Sequence, residues 1–387
     1  MMIRKVYLVI LCLCVFGLPI VAQTIRPWER NGMRDTYKLF VRHTWNVSDA
    51  VDETSGYSRR QYVYSDSVYI PQTLDGKRFT LSVGAANQEA WAYVNGNLVG
   101  YHAGGYTAFA WDITRYCHVG EMNHVRIVVS NEYNAEIPPL SADFTFFGGL
   151  YRDVVLTATS PLHFSTTHYA TRGVYVYTPS VSTEQATVRV EALVEGKGRV
   201  EWSVSGHGCL KTVQSRVKHG KAVAELSIPN PALWTPDTPN LYTVCARLYD
   251  SQGRLQDEVV ESFGLRWYGF GEDGLFYLNG VKTKLIGSSR HQCYKGVGNA
   301  LPDSLQRKDI ELIKAMGANF LRVAHYPQGE YIMHLCDSIG LLCSVEIPLV
   351  NAITETETFA QHCIEMVDEM VWQNRNHPSV VMWAYSN

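Results

Sequence analysis

The sequence has no excess of either charge. Its 387 residues carry a formal net charge of −3, and acidic and basic residues are interspersed rather than gathered in runs. Proteins that bind nucleic acid or an anionic membrane surface usually present a concentrated positive patch. The charge balance therefore gives no reason to expect nucleic acid or a membrane surface as a partner.

The nine cysteines never occur in a CxxC spacing. Structural zinc sites commonly use such closely spaced pairs, so we expect no zinc, and we predict no other metal and no cofactor. Cys12 and Cys14 lie in an apolar N-terminal segment. The other seven cysteines are an odd number at irregular spacings. One or two disulfides would suit an exported protein, but the sequence does not pair them.

Long apolar runs are absent after the first 22 residues. Arg4 and Lys5 precede an apolar run from Val6 to Val21, and Ala22 supplies a small residue for cleavage. This pattern predicts a signal peptide over residues 1–22, and hence export to the periplasm or the extracellular space. No later stretch is long enough to span a bilayer, so we expect no membrane association after cleavage.

Aromatic residues, by contrast, are abundant, with 23 Tyr, 13 Phe and 9 Trp. Aromatic side chains favour β-sheets and also pack against the C–H faces of sugars. Phe79, Leu81 and Val83 alternate with polar residues, and Asn95-Gly96 is a strong hairpin signal. These features predict a jelly-roll β-sandwich over residues 24–160.

Residues 161–267 also alternate apolar with polar residues, with a different spacing between the alternating segments. Val200, Trp202 and Val204 form one of several alternating apolar sets in this range. Four or more short strands at roughly ten-residue spacing are typical of an immunoglobulin-like sandwich. We therefore predict a second β-sandwich here.

Near residue 268 the pattern changes to strands that alternate with helices. The first strand is predicted at Lys284–Gly287, and two of the helices are predicted to end at Gly317 and Gly340. The fourth strand contains Val380–Trp383, a continuous apolar run that suits a buried parallel strand. Residues 268–387 therefore predict the first four strands of an eight-stranded TIM barrel.

Half a barrel would leave both of its outer strands with unpaired apolar edges. We therefore expect this sequence to be the N-terminal part of a longer chain. The alternative is a short protein whose half-barrel pairs with a second chain. A homo-oligomer is consistent with the sequence.

Short motifs in all three predicted domains point to one family. In chain order they are Ala90–Gly96, Gly104–Tyr106, Asp143–Val154, Leu233–Pro236, Phe263–Arg266, His325–Pro327 and His377–Asn387. Together they make nearly all of the mature chain resemble the N-terminal part of glycoside hydrolase family 2. That family includes β-galactosidases, β-glucuronidases and β-mannosidases.

The resemblance implies a retaining β-glycosidase, which uses two carboxylates about 5–5.5 Å apart as acid/base and nucleophile. In the family the acid/base Glu directly follows an Asn at the end of the fourth barrel strand, and the nucleophile ends the seventh strand. Here that Asn is Asn387, the last residue of the sequence. We therefore expect this sequence to contain neither catalytic carboxylate and to be inactive alone.

The resemblance also implies substrate-binding roles for five residues. Asn387 would hydrogen-bond the sugar 2-hydroxyl, Arg322 would orient the nucleophile, and His325 would donate to a ring hydroxyl. His291, after the first strand, and Asp143, in a jelly-roll loop that reaches the barrel mouth, would contact the sugar. Structural alternatives are a strand-end cap for Asn387 and an Asx turn for Asp143.

One departure from the family concerns magnesium. In β-galactosidases that use this ion, the run after the third strand holds a second acidic residue. Here Glu346 is present, but Val350 stands at the other position, which argues against that magnesium site. We interpret Glu346 as a residue that supports the site rather than as a substitute catalyst.

The substrate class is also implied by resemblance. Gly104-Gly105-Tyr106 and Phe147-Gly148-Gly149 are most similar to exported bacterial β-galactosidases. We therefore expect the whole enzyme to hydrolyse terminal β-galactosides, in β-linked oligosaccharides or glycosides, in carbohydrate catabolism. β-Glucuronidase and β-mannosidase remain open alternatives, and so does a non-catalytic carbohydrate-binding or scaffold protein with a relic barrel.

Overall fold

The computed structural model describes residues 28–39 and 58–387. The predicted signal peptide, residues 1–22, lies outside the described residues. In chain order, the described part forms two β-sandwiches, a small three-stranded sheet, and a parallel sheet flanked by helices. This is the jelly-roll, immunoglobulin-like and partial TIM-barrel architecture that the sequence predicts.

The first sandwich packs two antiparallel sheets around one core. Its strands are β1 (Glu29–Asn31), β2 (Arg34–Leu39), β3 (Gln61–Tyr69), β4 (Arg78–Val83), β5 (Ala86–Asn87), β6 (Glu89–Val94), β7 (Asn97–Ala103), β8 (Phe109–Asp112), β9 (Met122–Ser130), β10 (Gly149–Leu150) and β11 (Val154–Thr159). One sheet has the order β1-β2-β11-β4-β8 and the other β3-β9-β6-β7, while β10 pairs with β5.

The alternating sequence pattern explains how this sandwich buries its core. Leu81, Val94 and Ile127 come from three different strands, and all three are fully buried between the sheets. Asn95 and Gly96 form the two-residue turn between β6 and β7, with φ of 49° and 82°. Asn and Gly tolerate positive φ best, so this pair sets the register of the hairpin.

The second sandwich follows directly. Its strands are β12 (His163–Phe164), β13 (Val174–Val181), β14 (Gln185–Glu195), β15 (Arg199–Gly206), β16 (Cys209–Arg216), β17 (Lys221–Pro229), β18 (Tyr242–Tyr249) and β19 (Leu255–Phe263). One sheet joins β12, β14, β13 and β17, and the other has the order β16-β15-β18-β19. Trp202 is fully buried between them, and its indole Nε1–H donates to Ser215 Oγ at 2.9 Å.

A small antiparallel sheet leads into the half-barrel. The strands of this region are β20 (Tyr268–Phe270), β21 (Phe276–Leu278), β22 (Val281–Lys282), β23 (Gly287–Arg290), β24 (Phe320–Val323), β25 (Leu342–Glu346) and β26 (Val380–Ala384), and the helices are α1 (Asp303–Ala315), α2 (Glu330–Ile339) and α3 (Glu357–Asn374). Strands β23 to β26 pair in sequence order, and every pair is parallel.

The element ends follow local chemistry, with one difference from expectation. Gly317 and Gly340 follow α1 and α2 with φ of 90° and 85°, the left-handed conformation that favours glycine. Thr356 caps α3, because its Oγ1 accepts from the Phe359 N–H at 3.2 Å. The first barrel strand was predicted at Lys284–Gly287, but it begins at Gly287. That glycine is the first residue to pair with Phe320 of β24.

The three domains contact one another through buried polar side chains. Arg34 of the first sandwich donates to both carboxylate oxygens of Asp257 in the second, at 3.0 and 2.7 Å. Trp234 of the second sandwich is fully buried, and its indole N–H donates to the Asp337 carbonyl of α2 at 2.9 Å. His102 of the first sandwich meets Glu369 of α3 at 2.8 Å. Each sandwich therefore contacts a different helix of the half-barrel.

The half-barrel has two outer strands. In the described part of the chain, β23 pairs only with β24, and β26 pairs only with β25. Large apolar side chains near this region are exposed, among them Phe270, Ile286 and Tyr385. Within the same residues, no helix combines the length and the hydropathy that a membrane crossing would require.

Candidate functional site

Polar side chains gather where the four parallel strands end. Arg322 lies on β24, Glu346 is the last residue of β25, and His325 lies two residues after the end of β24. Parallel strands place their carboxyl ends at one edge of the sheet, and βα barrels keep their chemistry at that edge. The fold therefore brings residues that are distant in sequence into one cluster.

Glu346 is the centre of this cluster. It is buried, with 2% of its surface exposed. Arg322 donates to it in bidentate fashion, from Nε to Oε2 at 2.9 Å and from Nη2 to Oε1 at 3.0 Å. His325 Nδ1 lies 2.6 Å from Oε1. Two charge-assisted partners on a buried carboxylate make this arrangement rigid.

Asn387 joins the cluster through Arg322. Its Oδ1 accepts from Arg322 Nη2 at 2.5 Å, and its backbone N–H donates to the Leu349 carbonyl at 3.0 Å. The residue is otherwise exposed at the mouth of the half-barrel. Because the amide oxygen is held by Arg322, the amide nitrogen of Asn387 is positioned to donate to a bound molecule.

His291 stands beside His325 on the other side of the cluster. Their ring centroids are 5.2 Å apart in an edge-to-face arrangement, and His291 Nδ1 lies 3.3 Å from the Tyr326 hydroxyl. Burial lowers the pKa of His291, and the neighbouring positive groups of His325 and Arg322 lower it further, against the opposing pull of Asp143 and Glu346. His291 is therefore held towards its neutral form.

Asp143 reaches the cluster from the first sandwich. It is exposed, and it is close enough to His291 for its charge to act on the pKa of that histidine. Its neighbour Phe144 packs between the barrel rings, with centroid distances of 5.3 Å to His291 and 6.1 Å to His325. The structure thus places all five residues named from the sequence at one site, and two domains contribute to it.

The sequence did not indicate the aromatic support of the site. Phe144 also meets Tyr326 edge-to-face at 5.1 Å, and Tyr326 in turn stacks on Tyr106 at 4.1 Å. Burial raises the pKa of the Tyr326 hydroxyl, so this residue stays neutral. Phe144 and Tyr326 lie within the family-like motifs, but a motif alone does not say that their rings meet across a domain boundary.

Potential metal ligands occur elsewhere. Val350, the position that departs from the magnesium-binding pattern, is buried. Among the described residues, donor atoms of His334, Asp337 and His377 lie within 4.8 Å of one another. Asp337 is already engaged there, because its Oδ2 lies 2.6 Å from His377 Nδ1 and its Oδ1 accepts from the Ser379 N–H. These contacts favour a structural role for the group.

Comparison with protein families matches each part of the chain. Residues 31–161 match the glycosyl hydrolases family 2 sugar binding domain, residues 163–266 match the model named glycosyl hydrolases family 2, and residues 272–387 match the family's TIM barrel domain. The three matched ranges follow one another with short gaps and leave little of the described chain unmatched.

Individual relatives have similar lengths of match. A putative β-glucuronidase of Formosa agariphila is 37% identical over 353 residues, covering 89% of this chain and 42% of that protein. A β-galactosidase of Thermoanaerobacter pseudethanolicus is 33% identical, covering 83% and 44%. The structure of Bacteroides uniformis β-glucuronidase 2, covalently bound to cyclophellitol-6-carboxylate aziridine, superposes with a TM-score of 0.85 at 36% identity, covering 90% and 43%. The chain spans less than half the length of each of these proteins.

Proposed function

Because this chain belongs to glycosyl hydrolases family 2, we propose that its polar cluster binds the terminal sugar of a β-glycoside. The observation that carries the proposal is the network in which Arg322 connects Glu346 to Asn387 at the carboxyl ends of the barrel strands. In this proposal the residues at the strand ends form part of the sugar-facing wall of a retaining β-glycosidase.

The hydrogen-bond pattern suggests what each group offers to a sugar. The Asn387 amide nitrogen can donate to a hydroxyl, since the amide oxygen is already held by Arg322. The short contact to Glu346 indicates that His325 carries its proton on Nδ1. This leaves Nε2 of His325 for a sugar hydroxyl, to which the family resemblance has this histidine donate. Phe144 adds an apolar ring beside them.

Glu346 is suited to binding rather than to proton transfer. Its bidentate pairing with Arg322 and its contact to His325 favour the ionised carboxylate. A retaining glycosidase needs a carboxylic acid and a nucleophilic carboxylate about 5–5.5 Å apart. Asp143, the second carboxylate that acts on the pKa of His291, lies on an exposed loop of a different domain. We therefore propose that these residues bind a glycoside without hydrolysing it.

The names of the relatives rank the candidate substrates. The Formosa agariphila relative and the Bacteroides uniformis structure carry β-glucuronidase names, while the Thermoanaerobacter relative is a β-galactosidase. On this support, β-glucuronides become our first candidate and β-galactosides, which the sequence motifs favoured, our second. Export remains part of the proposal on the N-terminal sequence pattern alone, and it would place the substrate outside the cytoplasm.

Non-hydrolysable thioglycosides test the binding proposal. Calorimetric titration with phenyl β-D-thioglucuronide and phenyl β-D-thiogalactoside should show binding of at least one of them. Arg322→Ala should weaken it about tenfold or more, because the arginine positions Glu346 and Asn387 together. Arg307→Ala is the matched control, since Arg307 is an exposed arginine of α1 paired with Glu311.

The same samples give a second readout. With p-nitrophenyl β-glucuronide and β-galactoside, we expect no turnover above background. Equal binding by the wild type and Arg322→Ala would refute the assigned site. Turnover that is lost in Glu346→Gln would show that Glu346 is catalytic and would overturn the binding-only role.

A further inference from the structure

A cavity of about 360 Å³ lies where the three domains meet. The first sandwich contributes Tyr151 and Arg152, the second contributes Arg172, and the half-barrel contributes Gln292 and Asn299. The last two belong to the loop between β23 and α1. None of the five predicted sugar-binding residues lines this cavity. A cavity of this size at a domain junction is in the usual range for a small-molecule site.

Two amide side chains that line the cavity have polar atoms without hydrogen-bonding partners. Asn299 is 4% exposed, yet neither its Oδ1 nor its Nδ2 meets a hydrogen-bonding atom among the described residues. Gln292 is equally buried, and its Nε2 is likewise without a partner there, although its Oε1 accepts from Arg152 Nη2 at 3.2 Å. Buried polar atoms are almost always satisfied, so unpartnered ones at a cavity wall point to a bound molecule.

The two arginines that line the cavity already have hydrogen-bonding partners. Arg172 bonds to Glu330 and lies 3.3 Å from Glu261 Oε1. Arg152 donates to the carbonyl oxygens of Gly84, Tyr106 and Pro327. A charged ligand would have to break these contacts. An uncharged ligand would leave them intact.

The unpartnered amide atoms of Asn299 and Gln292 match the hydrogen-bonding chemistry of hydroxyl groups. A hydroxyl both donates and accepts, so it can bond to an amide oxygen or to an amide nitrogen. We propose that this cavity is a second ligand site, for a small uncharged polyol such as a hexose. Asn299 Oδ1 accepts from one hydroxyl, while Asn299 Nδ2 and Gln292 Nε2 donate to others. Tyr151 and Leu301 supply the apolar part of the wall.

The test separates this site from the one at the strand ends. D-glucose, D-galactose and D-glucuronate are titrated calorimetrically into the Arg322→Ala chain, in which the strand-end site is impaired. We expect at least one neutral hexose to bind and glucuronate to bind more weakly, because its carboxylate would face Glu261 and Glu330. Adding Asn299→Leu should weaken hexose binding about tenfold, since two hydrogen bonds are lost.

Gln292→Met is the second variant, because Met is close to Gln in size. It tests hexose binding in the cavity if the Asn299→Leu chain shows no cooperative melting transition. Gln361→Met is its control, because Gln361 is exposed on α3. Hexose binding also raises the melting temperature of the Arg322→Ala chain but not of its Asn299→Leu derivative. The proposal fails if no hexose binds the Arg322→Ala chain, if glucuronate binds more tightly than the hexoses, or if the folded cavity variants bind as well as the control.

Discussion

A single carboxylate, that of Glu346, connects most of the polar groups at the strand ends. It receives two hydrogen bonds from Arg322 and one contact from His325 while being almost completely buried. Removing its charge leaves a partly buried guanidinium without its anion. We expect Glu346→Gln to lower the free energy of unfolding by about 1–3 kcal/mol. Urea denaturation measures this change.

An exposed glutamate provides the control for that substitution. Glu311 pairs with Arg307 one turn away on α1, and both side chains are about half exposed. Pairs of this kind contribute roughly 0.5 kcal/mol or less. Glu311→Gln should therefore leave the urea midpoint nearly unchanged. If the two substitutions cost the same, the bidentate pairing does not stabilise the fold.

At the scale of single residues, the sequence predicted which positions gather but not how they connect. Arg322 and His325 stand three residues apart in one motif, so their proximity could be expected. Glu346 lies 24 residues beyond Arg322, and its pairing depends on the register between β24 and β25. Phe144 comes from another domain altogether. No local pattern encodes a contact between surfaces that meet only after two domains dock.

At the scale of elements, two helix-ending glycines allow a matched comparison. Both have φ near +90°, but a Cβ at Gly340 would lie 2.1 Å from the Pro236 carbonyl oxygen, while a Cβ at Gly317 would meet nothing within 4 Å. Gly317→Ala should cost about 1 kcal/mol, the strain of a left-handed residue. Gly340→Ala should cost roughly 2–4 kcal/mol, because steric overlap is added.

Thermal or urea unfolding of the two glycine variants distinguishes these values. Far-UV circular dichroism checks that each variant retains its helices. If both variants lose the same free energy of unfolding, Pro236 moves away from the new methyl group at little cost. The contact between the end of α2 and the second sandwich then adapts easily.

The helices and strands were easier to predict from the sequence than the contacts of single residues. Strict alternation identified the sandwich strands, because each of their sheets buries one face. Glycines marked the ends of α1 and α2. The first barrel strand was misplaced, since Leu285 and Ile286 are as apolar as a strand requires while the pairing with β24 begins at Gly287. Parallel pairing is set by a distant partner, and sequence periodicity does not report it.

At the scale of the whole molecule, a buried histidine makes domain packing sensitive to pH. Burial alone would lower the pKa of His377, but the charge and hydrogen bond of Asp337, with Glu330 and Glu261 nearby, raise it above the ordinary value of 6.5. The folded protein then binds this proton more tightly than the unfolded chain. Its stabilising effect is complete below about pH 6.5 and is lost as pH rises through the raised pKa.

Unfolding measured from pH 6 to pH 9 tests this linkage. The free energy of unfolding of the wild type should fall across that range, and His377→Gln should flatten the fall. His118→Gln serves as the control, because His118 is exposed on the first sandwich. An unchanged slope in His377→Gln would assign the pH dependence to other groups.

The contact between Trp234 and Asp337 bears on the order in which the domains fold during synthesis. The ribosome completes the second sandwich, with its own closed core, before it makes α2 and β26. The Trp234 indole is then present as a ready surface on which Asp337 can dock, and Asp337 in turn holds His377 and Ser379. The sandwich would thus act as a template for the nascent barrel. A chain ending at residue 267 should fold with a cooperative transition of its own, and the absence of one would exclude this order.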